Sequence, residues 1–302
     1  MTEEKIEIKE LKPTPALSPT KINTYFKCPR EFYYNYVEKL RTPPSIHLIK
    51  GSVVHKVLED FYRGYKPNAK KYLAELFKTA WGKSASQLAS LEMPADEIKQ
   101  HKKDAIMMIM NFYEVHYRKM MGTIVQGKAE NEQHAFFLTK PKFKEMYVKD
   151  DSLHVRGYID RIHKGYDGMI TLGDYKTSTK YGIGFSDAYK RQLGIYALLY
   201  NNQEGKMADF VSIIFLRYGE EFLLEVTPSL LKFARDAIDS VWEKTRSTAK
   251  DDYPLKESRL CGWCPFHHIC SGEEGFGKKK RTEKFKKLVE EEKKSDEPPK
   301  KI

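Results

Sequence analysis

The sequence predicts an α/β fold in which a set of helices precedes a mixed central sheet. Three observations carry that expectation. Helical apolar spacing dominates residues 18–121; two alternating segments, LHVRGYIDRI (153–162) and GMITLGDYK (168–176), flank the turn-like KGYDG; and a helical pattern at 186–203 separates that pair from two further strands. Helices around a mixed sheet, with a helical lobe before it, satisfy this order of elements.

Taken in chain order, residues 1–16 are polar and contain prolines, so a loose arm is expected. Ser18 suits an N-cap and Pro19 a first helical turn, opening a helix within 18–40 that Cys28-Pro29 breaks or restarts. Val54, Val57, Leu58, Phe61 and Tyr65 share one face of a helix over 51–65. Helices follow at 69–82 and 94–121. The hairpin strands are expected to pair through a five-residue loop at 164–168, setting His163 against Met169, Asp160 against Leu172 and Tyr158 against Asp174. Strands at 208–217 and 221–227 and a helix near 228–248 complete the core. One domain is expected over 17–275, with a helical part at 18–125, an α/β core at 129–250 and a cysteine segment at 261–270. Residues 276–302 are charged and low in complexity, as a disordered tail would be.

Composition narrows the class. A chain of 302 residues with 40% hydrophobic residues can bury a substantial core. It has no apolar run of about 18 residues or more, which argues against a membrane span. The opening MTEEKIEIKELKPTP lacks the apolar centre of a signal peptide, so a soluble, cytoplasmic protein with no membrane partner is expected. The formal charge of +11 favours a polyanionic partner, although residues 277–302 alone carry a net +5. The Lys/Tyr-rich stretch after Ser18 offers Lys21, Lys27, Arg30, Tyr33, Tyr34 and Tyr36 either as single-strand contacts or as core aromatics with a solvated basic flank.

Cys261, Cys264 and Cys270 form C-x2-C-x5-C, and Cys28 lies far upstream. In a reducing compartment such thiols suit metal ligation better than disulfides. Their softness fits an iron–sulfur cluster or Zn²⁺, and His267 and His268 leave a Cys3His zinc site open.

The stretch TLGDYKTS (171–178) carries the reaction-centre candidates. On a strand, Asp174 and Lys176 share a face while Tyr175 points away. The expected register puts Asp160 diagonal to Asp174, within reach of one shared ion. Two such carboxylates are stable together only around a cation, and a hard ion such as Mg²⁺ or Mn²⁺ fits oxygen ligands. Lys176 would stand beside it to hold a water or stabilise charge on a phosphate.

Five elements in order resemble the PD-(D/E)XK nuclease superfamily, and specifically its RecB-like branch with the iron–sulfur-containing CRISPR-associated exonucleases. They are Gly51-x-x-x-His55, Gly157-Tyr158-Ile159-Asp160, Gly173-Asp174-Tyr175-Lys176, Gln192-x-x-x-Tyr196 and the one-plus-three cysteine set. The resemblance covers about residues 18–272 and departs mildly in having Asp174 where the family often has Glu. It implies a restriction-endonuclease-like fold and a divalent metal held by His55, Asp160, Asp174 and the backbone carbonyl of Tyr175. It further implies Lys176 as the catalytic cation, Gln192 and Tyr196 as its orienting partners, and a [4Fe–4S] cluster on Cys28, Cys261, Cys264 and Cys270. The implied activity is hydrolysis of DNA, with a single-strand exonuclease favoured, in recombination, repair or CRISPR-type processing. A catalytically silent DNA-binding subunit of a helicase, recombination or CRISPR adaptation complex is the alternative. No G-x-x-x-x-G-K-[ST] loop is present, so duplex unwinding would need a partner.

Overall fold

The structure, a computed structural model, describes residues 16–42, 45–165, 167–178 and 185–271. The expected arm at 1–16, except Ala16, and the tail at 276–302 lie outside them. Packing divides the residues expected as one domain into two compact units, one of residues 16–19 and 45–242, the other of 20–42 and 243–271.

The larger unit is the mixed α/β body. Its sheet runs β1 (Phe143–Asp150), β2 (Val155–Lys164), β3 (Ile170–Lys176), β4 (Phe210–Phe215) and β5 (Glu220–Glu225), in that spatial order. β3 and β4 are parallel and every other neighbouring pair is antiparallel. The β3–β4 crossover carries α8 (Asp187–Glu204), which Ser186 caps by accepting from the Tyr189 amide and Gly205 closes with φ +64°. α9 (Pro228–Lys244) packs tightly on α8: a Cβ at Gly194 would lie 2.8 Å from the Ala234 Cβ. A glycine is required there because no other residue lets the helices approach so closely.

Residues 46–139 supply the helical part: α3 (Ile46–Phe61), α4 (Ala69–Lys83), α5 (Ala85–Ala89), α6 (Ala95–Val125) and α7 (Glu132–Thr139). The expected face of Val54, Val57, Leu58 and Phe61 is buried in one core with Phe112, Phe136, Tyr175 and Ile214. Helix α3 starts at Ile46 rather than 51, because Ser45 caps it by accepting from the His47 amide.

The smaller unit begins with α1, which spans Pro19–Lys27, and continues through α2 (Pro29–Phe32) and a π-helical turn at Tyr33–Val37. Short 3₁₀ turns at Lys250–Asp252 and Arg259–Trp263 precede the single-turn α10 (His267–Cys270). Tyr34, Phe266 and Cys270 form its small core. Arg30 Nε donates to the Tyr253 carbonyl at 2.8 Å, and Phe32 stacks on Tyr253 with centroids 6.0 Å apart.

Two expectations are corrected. The β2–β3 register is Arg161↔Gly173, Ile162↔Leu172, His163↔Thr171 and Lys164↔Ile170, so the five connecting residues are 165–169 rather than 164–168. Asp209 fixes the start of β3 by accepting from the Ile170 amide at 2.7 Å, and Gly165 donates to the Met169 carbonyl. The register therefore brings Asp160 directly opposite Asp174 instead of diagonal to it. The second correction is β1, which the pattern reading did not assign as a strand. Its charged residues hide an alternation in which Met146 and Val148 turn inward.

Candidate active site

The site forms where β2 and β3 part. Past Arg161↔Gly173 no further pair joins the two strands, and β2 continues along β1 while Leu17 bonds the other edge of β2 at Val155. Asp160 sits at the parting point, and its Oδ2 accepts the Tyr175 N–H at 2.7 Å in place of a ladder bond. This ties the two strands through a carboxylate and aims its other oxygen, Oδ1, toward α3, 3.4 Å from His55 Nδ1.

Glu145 completes that cluster. The pairs Lys144↔Arg161 and Met146↔Ile159 set it opposite Asp160, and its backbone has φ +52°, a strained value for a non-glycine residue. One ligand atom from each of His55, Glu145 and Asp160 lies within 4.8 Å of the other two. Burial and the neighbouring Asp160 raise the Glu145 carboxyl. Burial alone would lower His55, but Asp160, Asp174 and Glu145 outweigh it and raise its pKa. Half-buried carboxylates facing one another, with an imidazole between, form a donor set that could hold a divalent cation. Sequence reading missed Glu145 because β1 was missed. The signal available was its period-two step, Glu145, Tyr147, Lys149, against the apolar Met146 and Val148.

A second cluster adjoins the first. Asp174 is 4% exposed, and Asp174 Oδ2 lies 2.7 Å from Lys176 Nζ. Gln192 on α8 donates Nε2 to Asp174 Oδ1 at 2.7 Å and accepts from Lys176 Nζ at 2.9 Å, closing a three-residue ring. Tyr196, one turn further on, lies 3.2 Å from Gln192 Nε2 through its hydroxyl, and burial holds its phenol well above the ordinary range. Burial raises the Asp174 carboxyl although Lys176 pulls it down; burial opposes the Lys176 charge, but Asp174 more than offsets this and raises its pKa. Lys176 is thus held as an ammonium. Tyr175 points to the opposite side, into the α3–α6 core, and burial raises it to about 12. The structure so brings together His55, Asp160, Asp174, Lys176, Gln192 and Tyr196, with the Tyr175 backbone reaching the site through its N–H. As it stands, Asp174 is engaged by Lys176 and Gln192 and lies outside the three-residue His55 group.

All four cysteines, Cys28, Cys261, Cys264 and Cys270, line one pocket of the smaller unit and none is in a disulfide. Burial raises the Cys264 thiol. Among the described residues the His55 group is the one cluster whose ligand atoms all converge within 4.8 Å, so no three cysteine sulfurs are that close together. Sulfurs around one zinc, bonded at about 2.3 Å, would sit about 3.8 Å apart.

The candidate strand contacts separate. Arg30 is buried and committed to Tyr253, so its guanidinium serves the packing of its own unit. Tyr33 packs on Tyr34 and Tyr253. Lys27 pairs with Glu31 at 2.8 Å beside the cysteines, and Lys21 lies 5.5 Å from the Tyr36 ring.

A mixed sheet with helices around it, opening on clustered carboxylates, a histidine and a fixed lysine, defines a metal-using nuclease architecture. The chain belongs to the PD-(D/E)XK nuclease superfamily, whose family model matches residues 16–271. Nucleases of this superfamily use divalent metals, and a nuclease binds DNA. Among curated proteins it is similar to the gene 69 protein of Mycobacterium phage L5, 23% identical over 290 residues, covering 85% of this chain and 96% of that one. The gene 69 protein of Mycobacterium phage D29 matches similarly, 23% identical over 280 residues with the same coverage. Among solved structures it is similar to a Eubacterium rectale protein provisionally described as an exonuclease, at TM-score 0.48 and 13% identity, over 87% of this chain and 92% of that one. No described helix is long and apolar enough to cross a membrane.

Proposed function

We propose that this chain is a divalent-metal-dependent deoxyribonuclease of the RecB-like branch, acting on single-stranded DNA from its ends. The observation that carries the reading is the junction of two clusters at one point of the sheet: His55, Glu145 and Asp160 as a cation site, and Asp174, Lys176 and Gln192 as a closed ring beside it.

The roles follow from the chemistry of the groups. His55, Glu145 and Asp160 would hold Mg²⁺ or Mn²⁺, with Asp174 and the Tyr175 carbonyl on the adjoining strand. When bound, the ion lowers the pKa of a water and offsets charge on the phosphate. Lys176, kept protonated by Asp174, presents a fixed positive charge to the phosphate oxygens as they gain charge. Gln192 fixes both partners, and Tyr196 fixes Gln192. Hydrolysis adds water across the P–O3′ bond and leaves a 5′-phosphate and a 3′-hydroxyl.

For the cysteines we infer a [4Fe–4S] cluster rather than zinc, supported by the resemblance of the one-plus-three cysteine set to the cluster-bearing nucleases and by all four thiols lining one pocket. Its effect would be to join Cys28 to the 261–270 segment, with no electron transfer in hydrolysis. Recombination, repair or CRISPR-type processing are the settings this activity suits, and a helicase partner would supply unwinding.

Cleavage of end-labelled single-stranded DNA with Mn²⁺, Mg²⁺ or EDTA tests the activity, with anaerobically purified wild type beside Asp174→Ala. Metal-dependent cleavage lost in the variant is expected. An intact wild type inert on single-stranded, duplex and flapped DNA would instead favour the silent DNA-binding subunit. Iron and sulfide analysis tests the cysteine assignment, and stoichiometric zinc in a colourless protein would reject it.

A further inference from the structure

Beyond the cation site, the β1–β2 ribbon carries a repeating set of cross-strand pairs. Tyr147 pairs with Tyr158 and Lys149 with Arg156. The Tyr pair stands two residues along each strand from Glu145 and Asp160, and the basic pair two residues further. Each step is about 6.8 Å of extended chain. Val148, between the two pairs on β1, is fully buried, so Tyr147, Tyr158, Lys149 and Arg156 share the solvent face.

The tyrosines are the anomaly. Tyr147 is 41% and Tyr158 56% exposed, their ring centroids lie 5.1 Å apart and their planes are tilted by 51°. Two large rings held against each other on a solvated edge ribbon gain less from folding than buried ones would. Lys149 is tethered to the exposed Asp151 at 2.8 Å, an exchangeable surface pair.

We propose that this ribbon is a binding track for single-stranded DNA: the Tyr147/Tyr158 pair stacks an unpaired base next to the scissile phosphate, and Lys149 and Arg156 take a phosphate one step further. The inference rests on the nuclease reading and deepens it by naming the substrate surface. Carboxylates, aromatics and cations in that order, at one strand period, match the alternation of phosphate and base along a single strand. A duplex offers no free base face, so the pair also selects for unpaired DNA. The track lies in the body of the sheet and is distinct from the Lys21–Tyr33 candidates.

The test measures binding of a fluorescent single-stranded oligonucleotide to full-length protein in Ca²⁺, and cleavage in Mn²⁺. It compares wild type, Tyr147→Ala/Tyr158→Ala and Tyr147→Phe/Tyr158→Phe, with melting curves for each. The alanine pair is expected to weaken binding and raise KM at least fivefold, about 1 kcal/mol for one base on one ring. The phenylalanine pair should stay within twofold of wild type. An abasic residue in the oligonucleotide should weaken wild-type binding and leave the alanine pair unchanged, while binding to blunt duplex should be equal in all three.

Equal single-strand affinity in the alanine pair, with wild type active, overturns the track and spares the nuclease reading. A wild type that neither binds nor cleaves DNA overturns both. If the alanine pair instead turns a dimer into a monomer with DNA binding intact, the face belongs to a second copy and the proposal fails.

Discussion

Behind β3, Glu221 on β5 pairs with Arg161 on β2 at 2.5 Å and with Lys119 on α6 at 2.8 Å. Removing that carboxylate charge as Glu221→Gln is the most informative stability test. Burial raises Glu221, but Arg161 and Lys119 outweigh it and hold it at about 2 against an ordinary 4.5. That difference corresponds to roughly 3 kcal/mol of stabilisation of the ionised form. An independent route agrees: leaving the buried Arg161 without its counter-charge costs about 3–5 kcal/mol. At roughly 2–4 °C per kcal/mol for a body of this size, the variant should melt roughly 6–12 °C lower at pH 7. The sign with pH is fixed. A carboxyl depressed in the folded state stabilises fully above 4.5 and loses that stabilisation as pH falls toward 2, so the gap should close across that window. Calorimetry at pH 7, 4 and 3 reads it directly. Melting within 2 °C of wild type at pH 7, or a gap at pH 3 as large as that at pH 7, would refute the reasoning. Cleavage should also fall, since Arg161 neighbours Asp160 and lies beside the Tyr175 phenol, and the Tyr175 amide seats the Asp160 carboxylate.

Other outcomes are expected. Glu145→Gln should weaken Mn²⁺ binding roughly tenfold or more with little change in melting, read by calorimetric titration. Because burial raises the Glu145 and Asp174 carboxyls, apparent Mn²⁺ affinity should fall with pH starting above the ordinary carboxyl range; titration in buffers of different ionisation heat should show protons released on binding. His116 is buried among Phe61, Tyr62, Phe112 and Phe136, and burial holds it neutral to about pH 3. The unfolded chain protonates it below about 6.5, so His116→Phe should gain stability relative to wild type as pH drops from 6 to 4, and equal acid sensitivity would contradict this. Gly194→Ala should destabilise by about 1–2 kcal/mol through the clash with Ala234, whereas Gly122→Ala, where a Cβ meets nothing within 4 Å, should stabilise by up to about 1 kcal/mol in urea denaturation.

Much of this was legible in the residues. D-x-K on a strand end, a Gln and Tyr one helical turn apart and a histidine on an early helix each sit where their local period puts them, because strand and helix periods are local properties. The register was not legible. It depends on a two-residue slip set by the Asp209 cap on Ile170, which no strand pattern encodes. Glu145 was hidden for a related reason: β1 is an edge strand whose solvent face carries charges, so its alternation reads as polar chain. The aromatic cluster after Ser18 misled in the other direction. Composition cannot distinguish a stacking platform from a small core, and Arg30 and Tyr33 belong to the packing around Tyr253.

The Arg30–Tyr253 bond joins residues 223 positions apart and helps close a unit drawn from both flanks of the sheet-bearing segment. During synthesis, all five strands leave the ribosome before Tyr253 does. Until then the Arg30 guanidinium lacks the Tyr253 carbonyl, and Cys28 lacks Cys261, Cys264 and Cys270. The sheet-bearing body can therefore fold while its smaller companion waits, and a chain halted between residues 242 and 253 would contain the whole five-stranded sheet with an unfinished thiol pocket.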